Sequence, residues 1–191
     1  EIADLNNDDL EDYVICEFGN YLGGINAFQN LGNDTYKKIS LSNLPGGRKV
    51  IVKDFDNNGL MDIMALVTQG DEQIQLFLNS GNFKFRVVTV KRFPPVYGSS
   101  YFELVDMNAD DNLDIVYSNG DNADYSQTLK PYHGIRVFLN KGNFEFTDGW
   151  FFPMYGATQT ISHDFDSDGD MDLAVTGSQP NGMHLLFRNQ L

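Results

Sequence analysis

The chain has 191 residues, with 13 Lys and Arg against 27 Asp and Glu, a formal net charge of −14. That balance argues against sequence-independent nucleic-acid binding, which needs cationic side chains to neutralise phosphates, and no apolar run approaches the ~20 residues of a membrane span. Hydrophobic residues make up 41% and aromatics 13%, enough for a packed core and too many for a disordered acidic chain. A single cysteine, Cys16, excludes an internal disulfide framework and a Cys-based zinc module. No basic stretch precedes an apolar one at the start, so the chain is expected to be cytosolic, already processed, or a piece of a longer protein.

A nine-residue acidic segment opens the chain and returns three times. Asp4-Leu-Asn-Asn-Asp-Asp-Leu-Glu-Asp12 is followed by Asp54-Phe-Asp-Asn-Asn-Gly-Leu-Met-Asp62, Asp106-Met-Asn-Ala-Asp-Asp-Asn-Leu-Asp114 and Asp164-Phe-Asp-Ser-Asp-Gly-Asp-Met-Asp172. All four read D-x-[DN]-x-[DN]-[GD]-x-x-D, with starts 50, 52 and 58 residues apart. After each loop comes a short apolar run, such as Tyr13–Cys16, Ile63–Val67 and Leu173–Val175, that suits a strand buried on both faces. Cys16 is expected to be a buried small residue in the first of these. The next strands, Ile74–Leu78 and Ile135–Leu139, run into Asn79-Ser-Gly-Asn82 and Asn140-Lys-Gly-Asn143, which predict turns. The alternating Phe83-Lys-Phe85 and Phe144-Glu-Phe146 predict a following edge strand. Before the later loops, Pro45-Gly46, Tyr97-Gly98 and Tyr155-Gly156 sit nine and eight residues ahead of the first Asp.

Four short antiparallel strands in ~50 residues, with no helical period, predict an all-β chain of β-propeller blades. The repeats run approximately over 1–44, 45–92, 93–152 and 153–191, within a single propeller domain or fragment. The first repeat is expected to lack its first strand and the last its fourth, a total of 14 strands. The chain is then either part of a larger propeller, completed by further blades of the same parent protein, or a four-bladed ring.

The acidic loops read as calcium sites, up to four in number. Oxygens at positions one, three, five and nine converge on one point, and position seven offers a backbone carbonyl. The candidate ligands are Asp4, Asn6, Asp8, Leu10 and Asp12; Asp54, Asp56, Asn58, Leu60 and Asp62; Asp106, Asn108, Asp110, Asn112 and Asp114; and Asp164, Asp166, Asp168, Asp170 and Asp172. Carboxylates this close repel each other without a cation, and numerous hard oxygens suit Ca²⁺ over Mg²⁺ or a transition metal. Thirteen of the 27 acids lie at positions one, three, five and nine, and four Ca²⁺ would bring the charge from −14 to −6. Loop four, with four carboxylates, is expected to bind tightest and loop one weakest. Position six must turn sharply, hence Gly59 and Gly169, with Asp9 and Asp111 adopting the left-handed region at some cost. An EF-hand is excluded: it needs Glu at position twelve, where Ile15, Ala65, Tyr117 and Val175 stand.

These loops and their spacing resemble the FG-GAP/VCBS family, the calcium-binding blades of integrin alpha-chain propellers and of many secreted bacterial proteins. Phe18-Gly19 is the clearest trace of the Phe-Gly element, with Tyr97-Gly98-Ser99 and Tyr155-Gly156-Ala157 as variants. The resemblance implies a seven-bladed ring of which the chain is a part, calcium after the first strand of each blade, and an extracellular, cell-surface or periplasmic setting.

The third repeat departs from the others. The distance from the last loop Asp to the repeat Asn is 18, 17, 26 and 17 residues, so repeat three carries about nine extra, within 119–134. Asp121, Asp124, Tyr125, Tyr132 and His133 in this insert place polar groups beside aromatic rings, as a sugar or peptide site does. His133 and His163, with Asp121, are the only residues that suggest zinc or acid–base chemistry, and no spacing supports it. No nucleophile elbow, P-loop or dinucleotide fingerprint occurs, and no catalytic residue is assigned. Tyr97, Tyr101, Trp150 and Tyr155 serve either blade packing or recognition. Three functions follow: a calcium-bound extracellular adhesion or recognition module whose partner is a protein or glycan; the propeller portion of a carbohydrate-active enzyme using the 119–134 insert; or a structural spacer in a large surface protein.

Overall fold

A computed structural model describes residues 1–121, 128–178, 184–187 and 189. They form fifteen strands and no helix: β1 (Ile2–Ala3), β2 (Asp12–Glu17), β3 (Gly24–Asn30), β4 (Tyr36–Ser42), β5 (Gly47–Lys53), β6 (Asp62–Val67), β7 (Gln73–Asn79), β8 (Phe85–Arg92), β9 (Ser99–Val105), β10 (Asp114–Asn119), β11 (Gly134–Asn140), β12 (Phe146–Pro153), β13 (Ala157–His163), β14 (Asp172–Gly177) and β15 (His184–Phe187). They assemble into antiparallel meanders: β1–β4, β5–β8, β9–β12 and the three-stranded β13–β15. The predicted all-β fold of four-stranded, blade-like sheets is what forms. The chain divides into two compact units, Glu1–Pro95 and Val96–Leu191, each holding two sheets.

Burial explains the sequence pattern. β6, β7 and β10 are buried along their whole lengths, so they read as nearly continuous apolar runs. The last strand of each four-stranded sheet is largely exposed; β4 and β8 carry charged and polar residues there, whereas β12 exposes Trp150 and Phe151. In the first unit, Leu5, Val14, Ile25 and Ala27 of one sheet pack on Val50, Ile63, Ala65 and Phe77 of the other. In the second unit, Val105, Val116, Ile135 and Val137 meet Leu173, Val175 and Ala157. Cys16 is half-buried against the first cluster, and burial pushes its thiol up to about 11, which keeps it protonated at neutral pH.

Two expectations need correction. The first sheet has a first strand after all: Ile2 and Ala3 pair with Tyr13 and Asp12, and the chain amino group donates to the Val14 carbonyl, 3.0 Å. Two residues are too few to show a period, and the total becomes fifteen strands among the described residues. The second correction concerns Phe83 and Phe144, which belong to the turn rather than the edge strand. Asn82 and Phe83 have φ of 51° and 54°, and Asn143 and Phe144 have 52° and 62°. Two successive left-handed residues closed by Lys84 N–H to Gly81 C=O, 3.1 Å, make the hairpin twist that matches paired strands. The edge strands therefore begin at Phe85 and Phe146.

β3 and β11 start with glycines because the neighbouring strand passes against them. A Cβ on Gly134 would lie 2.0 Å from the Phe152 carbonyl oxygen, and one on Gly24 2.2 Å from that of Ser42. Both obstacles are backbone, so neither can swing aside. Gly134→Ala is expected to destabilise the protein by ~2–3 kcal/mol, read as a lower urea midpoint at unchanged m-value.

Candidate metal centres

Each acidic loop lies between the first and second strands of its sheet: Asp4–Asp12, Asp54–Asp62, Asp106–Asp114 and Asp164–Asp172. The position-one carboxylate folds the loop around itself. Asp4 accepts the N–H groups of Asp8 (3.2 Å) and Asp9 (2.8 Å). Asp54 accepts those of Asn58 and Gly59, Asp106 those of Asp110 and Asp111, and Asp164 those of Asp168 and Gly169. At position five a side-chain oxygen takes the N–H of position seven in every loop: Asp8 from Leu10, Asn58 from Leu60, Asp110 from Asn112 and Asp168 from Asp170. The left-handed residue expected at position six is present, with φ of 65°, 83°, 66° and 100° for Asp9, Gly59, Asp111 and Gly169. Position four is left-handed as well, at Asn7, Asn57, Ala109 and Ser167, which the motif did not predict because residue type varies there.

Position nine has a second task. Asp12, Asp62, Asp114 and Asp172 are fully buried. One oxygen of each accepts the N–H of position two: Leu5 (2.9 Å), Phe55 (2.8 Å), Met107 (3.0 Å) and Phe165 (3.0 Å). The other accepts the N–H of the repeat asparagine: Asn30 (2.8 Å), Asn79 (2.6 Å), Asn140 (2.8 Å) and Asn189 (2.8 Å). The asparagine side chain then ties off the hairpin that follows. In the first three repeats its Oδ1 accepts the N–H of the turn glycine, Gly32, Gly81 or Gly142, and its Nδ2 donates to the carbonyl of loop position eight. Asn79 also donates to the Leu5 carbonyl (2.7 Å), and Asn189 to that of Met107 (3.2 Å), joining the two sheets of each unit. Both halves of this bridge are recurrent in the sequence, but their partnership spans 17 to 26 residues and has no local signature.

The loops fall into two kinds. In loop two, Asp54, Asp56 and Asp62 bring one oxygen each within 4.8 Å of one another, and in loop four Asp164, Asp166 and Asp172 do the same. These acidic clusters can hold a metal ion. In loops one and three position three is Asn, and its Nδ2 donates to the position-five carboxylate: Asn6 to Asp8 (2.9 Å) and Asn108 to Asp110 (3.1 Å). The Oδ1 atoms of Asn6 and Asn108 are buried without a hydrogen-bond donor. An orphaned acceptor at the ligand position, beside carboxylates, is what a hard cation would satisfy.

The electrostatics point the same way. Burial pushes the Asp12, Asp62 and Asp114 carboxyls upward, against their backbone hydrogen bonds, and the neighbouring loop carboxylates push them further. Burial opposes ionisation of Asp4 too, but the N–H groups of Asp9, Asp8, Asn6 and Asn7 outweigh it and hold this carboxyl below its usual range. The N–H of Asn112, with the side-chain amides of Asn112 and Asn108, holds Asp110 low. Asp4 and Asp110 are thus held as carboxylates, while a positive charge beside Asp12, Asp62 and Asp114 would relieve the burial that opposes their ionisation.

The repeat-three insert is arranged differently from its expected role. Asp124 and Tyr125 lie outside the described residues. Asp121 is exposed and donates its N–H to the Gly98 carbonyl, 2.9 Å. His133 is fully buried, stacked on Tyr155 (5.4 Å between centroids) and edge-on to Tyr132 (5.2 Å), which stacks on Tyr97 (5.6 Å). Arg136, unnoticed in the sequence, lies over the rings of Tyr97 (4.7 Å) and Phe151 (4.0 Å) and donates to Asn119 and the Tyr132 carbonyl. His133 therefore packs the base of the insert and is out of reach of a ligand. Desolvation, with Lys130 and Arg136 nearby, lowers its pKa to about 4, so it is neutral at physiological pH. His163 is exposed beside Phe165, and among the described residues no histidine joins an acidic cluster. Tyr97, Tyr101 and Tyr155 are half-buried, and Trp150 is 41% exposed.

The FG-GAP-like repeat family matches the chain over residues 4–65 and 54–117, each match running from one acidic loop into the strand after the next. No curated protein matches the chain. Among the described residues, no helix is long and apolar enough to cross a membrane.

Asp62→Ala leaves two buried N–H groups without an acceptor and is expected to cost ~2–4 kcal/mol even in EDTA, whereas Asp62→Asn, which keeps one acceptor oxygen, costs less; thermal melts in chelator separate this bridge from metal binding. His133 generates a pH dependence of known sign. The folded protein binds fewer protons than the unfolded chain between about pH 4 and 6.5, so the stabilisation is complete above 6.5 and declines as pH falls towards 4, by at most ~3 kcal/mol. His133→Phe keeps a ring in the stack and is expected to flatten this portion of the profile in urea melts at pH 7 and 4.5.

Proposed function

Because the chain belongs to the FG-GAP-like repeat family, whose repeats are typical of extracellular proteins, we propose that it is a calcium-binding recognition or adhesion module working outside the cytoplasm. The observation that carries the reading is the convergence of three carboxylates within 4.8 Å in loops two and four. The buried, orphaned Asn6 and Asn108 oxygens support it for loops one and three. Calcium would be held by the side chains of positions one, three, five and nine in each loop, with position seven adding a carbonyl. Bound there, it supplies positive charge to a fixed cluster of oxygens and so holds the loop in place; the protein does the rest through its backbone bonds. Millimolar free Ca²⁺ outside cells fills weak sites of this type, consistent with a secreted, cell-surface or periplasmic location.

Recognition of a protein or glycan is assigned to the connections between the second and third strands, at the opposite end of each sheet from the metal loops. The β2–β3 connection exposes Tyr21 (91%) and Leu22 (85%), together with Phe18. Aromatic and aliphatic groups held out on a short hairpin are suited to an extended partner surface. Of the 119–134 insert residues offered to the carbohydrate-enzyme alternative, His133 is buried and does not face a ligand.

Calorimetric titration of metal-stripped protein with Ca²⁺, alongside thermal melts, tests the reading. Binding near four ions per chain is expected, tightest in loop four, with each site contributing ~2.7 kcal/mol at a hundredfold excess over its Kd. Asp166→Asn should weaken the tightest step selectively. No binding, or binding without a rise in melting temperature, would remove the calcium assignment.

A further inference from the structure

Within the first unit the two acidic loops touch. Asn7 of loop one donates from Nδ2 to the Gly59 carbonyl of loop two, 3.2 Å. That carbonyl belongs to the Gly59–Leu60 peptide, whose N–H donates to Asn58 Oδ1 at 2.8 Å. Asn58 is the candidate ligand at position five, and only in loop two is that ligand neutral: Asp8, Asp110 and Asp168 stand there in the others. The rest of its amide is fixed as well, Nδ2 donating to the Asn79 carbonyl at 3.0 Å. Asn79 carries the contact back to loop one. Its N–H goes to Asp62 (2.6 Å) and its Nδ2 to the Leu5 carbonyl (2.7 Å), while the Leu5 N–H goes to Asp12 (2.9 Å). The position-nine carboxylates of the two loops are thus joined through one asparagine and one leucine. The second unit keeps this inner link, Asn189 to the Met107 carbonyl at 3.2 Å. It lacks the outer one: Ala109 stands where Asn7 does and Asp168 where Asn58 does, and neither side chain carries an amide donor.

We propose that Asn7 and Asn79 are positioning residues that couple loops one and two, so that the two loops take up Ca²⁺ cooperatively as a pair. The proposal rests on the calcium reading and adds to it how the loops fill. An ion in loop two fixes Asn58, and through the Leu60 N–H it fixes the peptide whose carbonyl receives Asn7. The same ion fixes Asp62 and with it Asn79. Loop one is then held at positions two and four, through the Leu5 carbonyl and the Asn7 amide, before its own ion arrives. Less of it remains to be ordered, which raises its affinity, and the effect is reciprocal. Hydrogen bonds in series through peptide groups strengthen one another. Charge does not oppose the pairing. Three ligand carboxylates and one Ca²⁺ leave a filled loop with a net −1 at its ligands, which does not repel the second ion, and salt screens the attraction that is lost.

The test is a Ca²⁺ titration of the full, metal-stripped, isotope-labelled chain in physiological salt, followed by NMR. The position-six amides of Asp9, Gly59, Asp111 and Gly169 report the four loops separately. Asp9 and Gly59 are expected to shift together, with a Hill coefficient above one. Asn7→Ala should weaken the Gly59 midpoint by about fivefold, bring the Hill coefficient of the pair towards one and leave Asp111 and Gly169 unchanged. Alanine fits this backbone, since Ala109 holds φ of 55° at the equivalent position against 58° for Asn7. Asp8→Ala, which removes a ligand from loop one alone, should weaken Gly59 as well. A merely structural Asn7 would lower the melting temperature in chelator and leave the Gly59 midpoint where it was. Independent filling of Asp9 and Gly59 in the unmodified protein, or an unmoved Gly59 midpoint in Asn7→Ala, overturns the coupling and leaves calcium in place. No shift at any of the four amides overturns both.

Discussion

The structure depends on a buried aspartate that accepts one backbone N–H with each oxygen. Asp12, Asp62, Asp114 and Asp172 end the acidic loops, and each is also the anchor to which the third strand of its sheet returns. A carboxylate fully removed from water is expensive unless charge-assisted hydrogen bonds compensate it. Here they do so only partly, and Asp12, Asp62 and Asp114 remain harder to ionise than free aspartate. Fold and metal affinity are therefore one problem: the residue that closes the hairpin is the one that most needs a cation nearby.

The outer carboxylates face the opposite balance. Asp4 and Asp110 are held low by loop N–H groups, which favours the charged form of these two carboxyls. The difference between loop types follows from one atom. With Asp at position three, loops two and four gather three carboxylates. With Asn there, loops one and three hold part of the ring closed through an amide-to-carboxylate hydrogen bond and leave a bare carbonyl oxygen. Loops one, two and three carry three ligand carboxylates each, so the two kinds differ in where the carboxylates sit and how they are tied, not in total charge, and only loop four carries a fourth.

The loops, the central strands and the blade-like sheets were legible because their causes are local. Ligand positions alternate in one turn, and strands buried on both faces are apolar throughout. What escaped was set by partners far along the chain. Nothing near Asn79 announces that its amide will reach Leu5, 74 positions away. The burial of His133 depends on rings from three separate segments. Phe83 and Phe144 read as strand residues by type, and the hairpin closure places them in a backbone region that phenylalanine seldom adopts. Ile2–Ala3 became a strand through pairing alone.

One dipeptide of loop two bears on the chemical lifetime of the protein. Asn58-Gly59 is a sequence prone to deamidation, in which the glycine nitrogen attacks the asparagine side chain. In the folded loop that nitrogen donates its hydrogen to Asp54 (2.8 Å), while the Asn58 amide donates to the Asn79 carbonyl (3.0 Å). Both reacting groups are occupied, so ageing at this position proceeds through opened loops. The cyclic imide so formed opens mainly to isoaspartate, which lengthens the loop backbone by one carbon, and in the minor part to an aspartate at position five, which gives loop two the side-chain ligand set of loop four.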